Sequence, residues 1–254
     1  MHLPAVGLGT MGIDDAGPIA TALDVGYRHL DTASIYENEA AVGEGLAASD
    51  VPREEVVVAT KLWTDALAAG EVGPAARESA AKLGVDTIDL LYVHRPRAEY
   101  DPEATLPALD RLVEEGVVDR IGVSNFEPAQ LDRAIELLDA PIAAHQTELH
   151  PLWYRPELID HAREAGYSVV AYSPLSGGRV REVEAVTAVA ARHGSTPEAV
   201  ALAWALSKEP VVTIPKASSE AHLRANLAAA DLELSPEDIA AIDAVEHDRE
   251  LFPE

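Results

Sequence analysis

From end to end the chain alternates between short apolar runs that read as strands and amphipathic runs that read as helices. The strand-like runs cover residues 4–10, 28–31, 56–61, 88–94, 120–125, 143–149, 168–173 and 211–216. Helical patterns fill the gaps at 18–26, 39–48, 74–83, 106–115, 128–138, 156–165, 183–193, 197–208, 220–229 and 236–245, several of them meeting a glycine (Gly84, Gly116, Gly166) at their end. Strict alternation implies a parallel sheet, because each parallel crossover needs a helix. Eight such units with no linker or shift in composition favour closure into a ring over an open, doubly wound sheet. The expectation is therefore an α/β chain forming one domain over residues 1–254, a (β/α)8 TIM barrel. One extra helix precedes the last strand and another follows at the C-terminus.

The strand ends carry the chemistry. The run at 28–31 closes on Asp31, with Tyr36 five residues on; the run at 56–61 closes on Lys61 and that at 88–94 on His94. Aspartate is a poor strand residue, and a charge ending an apolar strand needs a reason. In a barrel of this kind the C-terminal strand ends converge on one mouth, where catalysis takes place. A phenol must give up about 3 pKa units, roughly 4 kcal/mol, to serve as an acid or base near neutrality. An ammonium about 4 Å away at an effective dielectric near 20 supplies that much. Lys61 is the candidate ammonium, Asp31 the group that keeps it charged and placed, and His94 either orients a substrate oxygen or shares the proton. Such a set can protonate a carbonyl oxygen while hydride reaches the carbon. A protein has no hydride of its own, so a nicotinamide cofactor is implied.

Composition narrows the partners. Asp and Glu number 44 against 19 Lys and Arg, a net charge of −25, and that field repels nucleic acid and anionic membranes. The acids are spread through the helical runs rather than gathered in a tail. Lysine occurs only at Lys61, Lys82, Lys208 and Lys216. This balance leads us to expect a halophilic protein, since salt near 1 M shortens the Debye length to about 3 Å and screens the self-repulsion. There is no cysteine, hence no disulfide or thiolate metal site, which fits a cytoplasmic enzyme. No signal peptide and no apolar run near the roughly 18 residues of a membrane span is seen. Glu148 and His150 look like metal ligands but lack companions, so no metal is expected. The early GLGTMG has the wrong spacing for a dinucleotide loop.

Seven stretches together resemble the aldo-keto reductase family: GYRHLDTASIYENEAAVG, VVVATKLW, DLLYVHRP, RIGVSNF, HQTELHPLW, VVAYSPL and TIPKASSEAHLRANL. The resemblance implies a (β/α)8 barrel that binds NADP(H) without a Rossmann domain, and a catalytic tetrad of Asp31, Tyr36, Lys61 and His94. It implies that Ser124, Asn125 and Gln146 hold the nicotinamide carboxamide, that Tyr172 stacks on the ring, and that Ser173, Leu175 and Ser176 follow the pyrophosphate. Lys216 would meet the adenosine phosphate, with Ser218 in the same segment, and Asn226 the adenine.

Two departures touch this picture. Where the family commonly has an arginine that clamps the 2′-phosphate, this chain has His222, with Arg224 two positions on, and the usual serine after Lys216 is Ala217. A neutral imidazole lacks arginine's bidentate grip, so NADP(H) is expected as the preferred cofactor with NAD(H) accepted as well. His145 stands where asparagine is usual and receives no role. Trp63, Phe126 and Trp153 are expected to form the apolar wall of the substrate pocket. The short C-terminal tail suggests an open mouth and loose substrate selection.

The function expected is reduction of aldehydes, ketones or keto sugars by a monomeric enzyme. The alternatives are an NADP(H)-binding regulatory or sensor protein on the same fold, and a metal-dependent barrel hydrolase. The hydrolase would want a His-x-His pair on an early strand, which the sequence lacks.

Overall fold

The computed structural model of the chain describes residues 3–252. In chain order its elements are β1 (Leu8–Gly9), α1 (Ala16–Val25), β2 (His29–Asp31), α2 (Glu39–Ala48), β3 (Val57–Leu62), α3 (Ala69–Leu83), β4 (Leu90–Val93), α4 (Pro102–Glu114) and β5 (Ile121–Ser124). They continue with α5 (Pro128–Leu137), β6 (Ile142–Glu148), α6 (Pro156–Ala165), β7 (Ser168–Tyr172), α7 (Glu184–His193), α8 (Pro197–Leu206), β8 (Val211–Thr213), α9 (Glu220–Ala228) and α10 (Pro236–Asp243). The strands lie in sequence order and each pairs in parallel with the next. Between the last strand and the first, a parallel bridge joins Val6 to Thr213: Gly7 N–H donates to Thr213 O at 2.8 Å, and Thr213 N–H to Ala5 O at 2.9 Å. The ring is thereby closed. The extra helix before the last strand and the one at the C-terminal end are both present.

Two helices begin a full turn or more earlier than the sequence pattern suggests. Helix α4 starts at Pro102 rather than near residue 106, because Asp101 accepts the Glu103 N–H at 3.2 Å and proline is tolerated in a first turn. Pro107 then sits inside the helix. Helix α3 starts at Ala69 rather than Pro74, anchored by Val72, which is wholly buried. Each internal proline forgoes one backbone hydrogen bond, and burial of the flanking apolar residues outweighs the loss.

Strand alternation divides the core into two layers. Residues pointing outward, such as Leu91, Val93, Ile121, Val123 and Val169, pack with Leu106, Leu109, Leu158 and Trp204 from the helices. Residues pointing inward, Ala59, Leu90, Tyr92, Ala144, Val170 and Ile214, fill the barrel. Tyr92 needs the space opposite it: a Cβ on Gly122 would lie 2.4 Å from its ring. Two residues beyond Ala59 comes Lys61, beyond His29 Asp31, beyond Gly122 Ser124, and beyond Ala144 Gln146. The inward face therefore turns polar at the strands' C-terminal ends. Among the described residues no helix is long and apolar enough to cross a membrane.

Candidate active site

The four strand-end groups come together. Lys61 is fully buried, and its Nζ donates to Asp31 Oδ1 at 2.5 Å and to Thr32 O at 2.7 Å. The same Nζ lies 5.3 Å from the centre of the Tyr36 ring and interacts with its hydroxyl. Burial alone would lower the Lys61 pKa; the charge of Asp31 and the interaction with Tyr36 outweigh it and raise it. Lys61 is thus an ammonium at every working pH. His94 closes the group, with its ring 5.9 Å from that of Tyr36 and 4.8 Å from that of Trp63, both edge-on. Burial first, then Lys61, Arg95 and Arg97, push the His94 imidazole down to about 2, so it is neutral.

Supporting residues fix this cluster. Gln146 Nε2 donates to Asp31 Oδ2 at 2.7 Å, so both carboxylate oxygens are held. Tyr36 sits on a single helical turn, Ser34–Tyr36, that is braced by the buried Asn38. Asn38 accepts from Thr32 Oγ1 at 2.7 Å and donates to Thr10 O and Ile13 O at 2.7 and 3.0 Å. Asn125 stands in the left-handed region (φ 60°), donates to His94 O at 3.0 Å, and accepts from the Tyr172 hydroxyl at 2.9 Å.

Above the cluster opens a cavity of about 730 Å³. Asp31, Tyr36, Trp63, His94, Ser124, Asn125, Gln146, Tyr172, Ser173, Leu175 and Lys216 all line it. The sequence profile of the Aldo/keto reductase family matches residues 6–247. The chain belongs to the aldo/keto reductase family. Over its whole length it is 38% identical to the methylglyoxal reductase DkgB of Escherichia coli O157:H7, covering 97% of that protein. It is also 38% identical to an aldo-keto reductase of Mycolicibacterium smegmatis, with 99% of this chain and 93% of the relative covered. The crystal structure of an aldo-keto reductase enzyme from a Medee basin deep-sea metagenome library superposes with a TM-score of 0.95 at 32% identity, covering 100% of this chain and 95% of that one. This aldo-keto reductase is accordingly an oxidoreductase of carbonyl compounds that uses NADP(H).

The reductase's residues fit such a dinucleotide. After β7 the backbone takes left-handed conformations at Ser173, Ser176, Gly177 and Gly178 (φ 50°, 51°, 62° and 90°), in a tight loop where Ser176 N–H donates to Ser173 O and Gly178 N–H to Leu175 O. Ser176 Oγ is buried there with no partner in the protein, a donor suited to a phosphate oxygen. Lys216 is exposed at the cavity's far end. Ser218, His222 and Arg224 are exposed and lie outside the cavity. Arg224 is held by Glu220 at 2.8 Å. Asn226 is 7% exposed and hydrogen-bonds the Tyr27 hydroxyl, also away from the cavity.

Three pocket expectations are corrected. Phe126 does not line the cavity: the left-handed Asn125 turns the chain downward, and the Phe126 ring, 1% exposed, packs edge-on against Tyr100 at 5.5 Å. Trp153 pairs with His150 through reciprocal 2.9 Å backbone bonds, and that turn carries it off the cavity wall. Nor does the short tail leave the rim bare, since Phe252 folds back to line the cavity. The sequence reading also missed Met11, Ile35 and Arg95 as lining residues. Arg95 directly follows His94 in the HRP stretch, the one signal that could have pointed to it. Glu148 and His150 pair with each other at 2.8 Å, and among the described residues no group of three or more metal-ligating side chains is gathered.

Proposed function

We propose that this enzyme reduces aldehydes, ketones and keto sugars with Tyr36 as the proton donor. The observation that carries the reading is Lys61, wholly buried and held between the Asp31 carboxylate and the Tyr36 phenol. A bound nicotinamide dinucleotide supplies the hydride. The carbonyl oxygen lies within reach of the Tyr36 hydroxyl and the His94 imidazole. As charge builds on that oxygen, Tyr36 gives it a proton. The negative charge left on Tyr36 faces the Lys61 ammonium, an attraction worth about 3 kcal/mol at about 5 Å and an effective dielectric near 20. Asp31, itself gripped by Gln146, keeps the ammonium in place. A neutral His94 supports the orienting role over the proton-sharing one, because its imidazolium would be costly in this setting. Trp63, Ile35 and Met11 exclude water around the reacting carbon.

Ser124, Asn125 and Gln146 are assigned to the carboxamide end of the dinucleotide, Tyr172 to the ring face, and Ser173, Leu175 and Ser176 to the pyrophosphate. Lys216, Ser218, His222, Arg224 and Asn226 are assigned to the adenosine end, where Arg224 must leave Glu220 to reach a 2′-phosphate. The enzyme is further read as a cytoplasmic monomer that does not bind nucleic acid. Its charge of −25 is read as an adaptation to high salt.

One assay tests the core of this reading: oxidation of NADPH and of NADH against a panel of carbonyls, run in molar KCl and in dilute buffer. Turnover of several carbonyls that disappears in Tyr36→Phe, with dinucleotide binding retained, supports it. Undiminished turnover in that variant overturns it. A melting temperature that does not rise with KCl removes the salt reading, and a dimer in size-exclusion chromatography removes the monomer.

A further inference from the structure

After α10 the chain turns back across the barrel mouth. His247 Nδ1 lies 3.0 Å from Pro151 O, and Arg249 N–H donates to Leu152 O at 3.0 Å. Two successive backbone N–H groups then point at one carboxylate: Leu251 N–H donates to Glu148 Oε1 at 2.7 Å, and Phe252 N–H to Glu148 Oε2 at 3.1 Å. His150 Nε2 also lies 2.8 Å from Oε1. Glu148 is 2% exposed and His150 fully buried. A carboxylate withdrawn from water at a strand end is tolerated only when its lone pairs are matched by donors, and two of these donors come from the tail, over a hundred residues away. In the β6–β7 register Glu148 stands opposite Tyr172, and the Phe252 ring meets the Tyr172 ring edge-on at 5.9 Å. Phe252, 37% exposed, forms part of the cavity lining.

We propose that Glu148 is a positioning residue whose carboxylate clasps the backbone at 251–252. The clasp sets Phe252 against Tyr172 as an aromatic corner of the cavity, favouring carbonyl substrates with an aromatic or large apolar substituent. The proposal rests on the reading of this cavity as the carbonyl-reduction site. Glu148 does no chemistry itself. It acts through Phe252, and that dependence separates it from a merely structural acid.

The test compares Glu148→Gln, Phe252→Ala and the double variant with wild type, in the full chain. Glutamine keeps the shape but turns an N–H2 toward one of the two backbone donors. Hydrogen exchange at the Leu251 and Phe252 amides is expected to quicken in Glu148→Gln, a readout that needs no turnover. The ratio of KM for benzaldehyde to KM for propanal is expected to rise about tenfold in each single variant, with kcat much less affected. The double variant is expected to shift the ratio no further than either single one, since both changes remove the same corner. Additive shifts, unchanged amide exchange, or a loss confined to kcat overturns the proposal. Should Glu148→Gln fail to fold, Phe252→Ala decides through the KM ratio alone, and an unchanged ratio overturns it. If no carbonyl is turned over by wild type, the reduction reading fails, while amide exchange still reports the clasp.

Discussion

The catalytic cluster and the β8–α9 surface beside the cavity are built differently. At the β2–β4 end, Asp31 and Lys61 are sealed in the barrel, and Asp31, Thr32, Gln146 and Asn38 share a continuous set of hydrogen bonds. At the β8–α9 end, Lys216, Ser218, His222 and Arg224 all face solvent, and Arg224 is occupied by a surface ion pair. The buried end is organised in advance by the same packing that closes the barrel. The exposed end has little fold energy invested in it and takes its final arrangement from whatever binds there. Chemistry that depends on fixed charge belongs to the first, and the second is where the proposed choice between dinucleotides can be tested.

The contrast can be broken most decisively at Tyr36. Tyr36→Phe is expected to lower kcat by about three orders of magnitude or more, the upper range for a positioned general acid, with dinucleotide affinity by fluorescence titration unchanged. Lys61→Met tests whether the buried end is a true ion pair: stripping the ammonium from Asp31 is expected to cost about 3–5 kcal/mol in denaturant unfolding. A surface-like loss well under 1 kcal/mol would erase the distinction between the two ends.

Titration sharpens the same point. His94 and His145 are depressed to about 2 and about 3, and buried His29 is lowered as well, with desolvation the leading cause in each. Below about pH 6.5 the unfolded chain takes up protons that these folded imidazoles refuse, so stability is full above that pH and is lost as pH falls. The expected slope approaches about 2.7 kcal/mol per pH unit from His94 and His145, with His29 acting in the same direction, read from urea midpoints between about pH 6 and 4.5. Flat stability across that window would mean that the imidazoles reach water.

The smallest effects belong to the exposed end. Lys216→Ala is expected to weaken NADPH binding about tenfold through loss of one charge-assisted contact. His222→Arg is expected to improve the NADPH-to-NADH preference severalfold through a bidentate grip on the 2′-phosphate. If His222→Arg instead changed kcat as strongly as Tyr36→Phe, the two ends would not be separable.

Much of this was legible from local pattern. The apolar runs that close on Asp31, Lys61 and His94 put those residues at strand ends whatever the details of the barrel. Start signals are where the local pattern falls short: Asp101 caps α4 and Pro102 opens it, while the apolar pattern alone starts that helix at residue 106. Phe126 was misassigned because nothing in RIGVSNF announces that Asn125 goes left-handed and points the next ring into the core. Gln146 shows a subtler gap. Its amide donates to Asp31, a partner 115 residues away in sequence that no spacing rule connects to it.

By itself, then, the sequence determined the alternation of strand and helix and which ionisable groups stand at the strand ends, because each of these follows from neighbours a few residues apart. Only the tertiary structure decided which of those groups touch, that His94 is held neutral, and that the tail lies across the mouth on Glu148. Those outcomes depend on burial and on contacts between segments distant along the chain, and their energies exist only once the ring has closed.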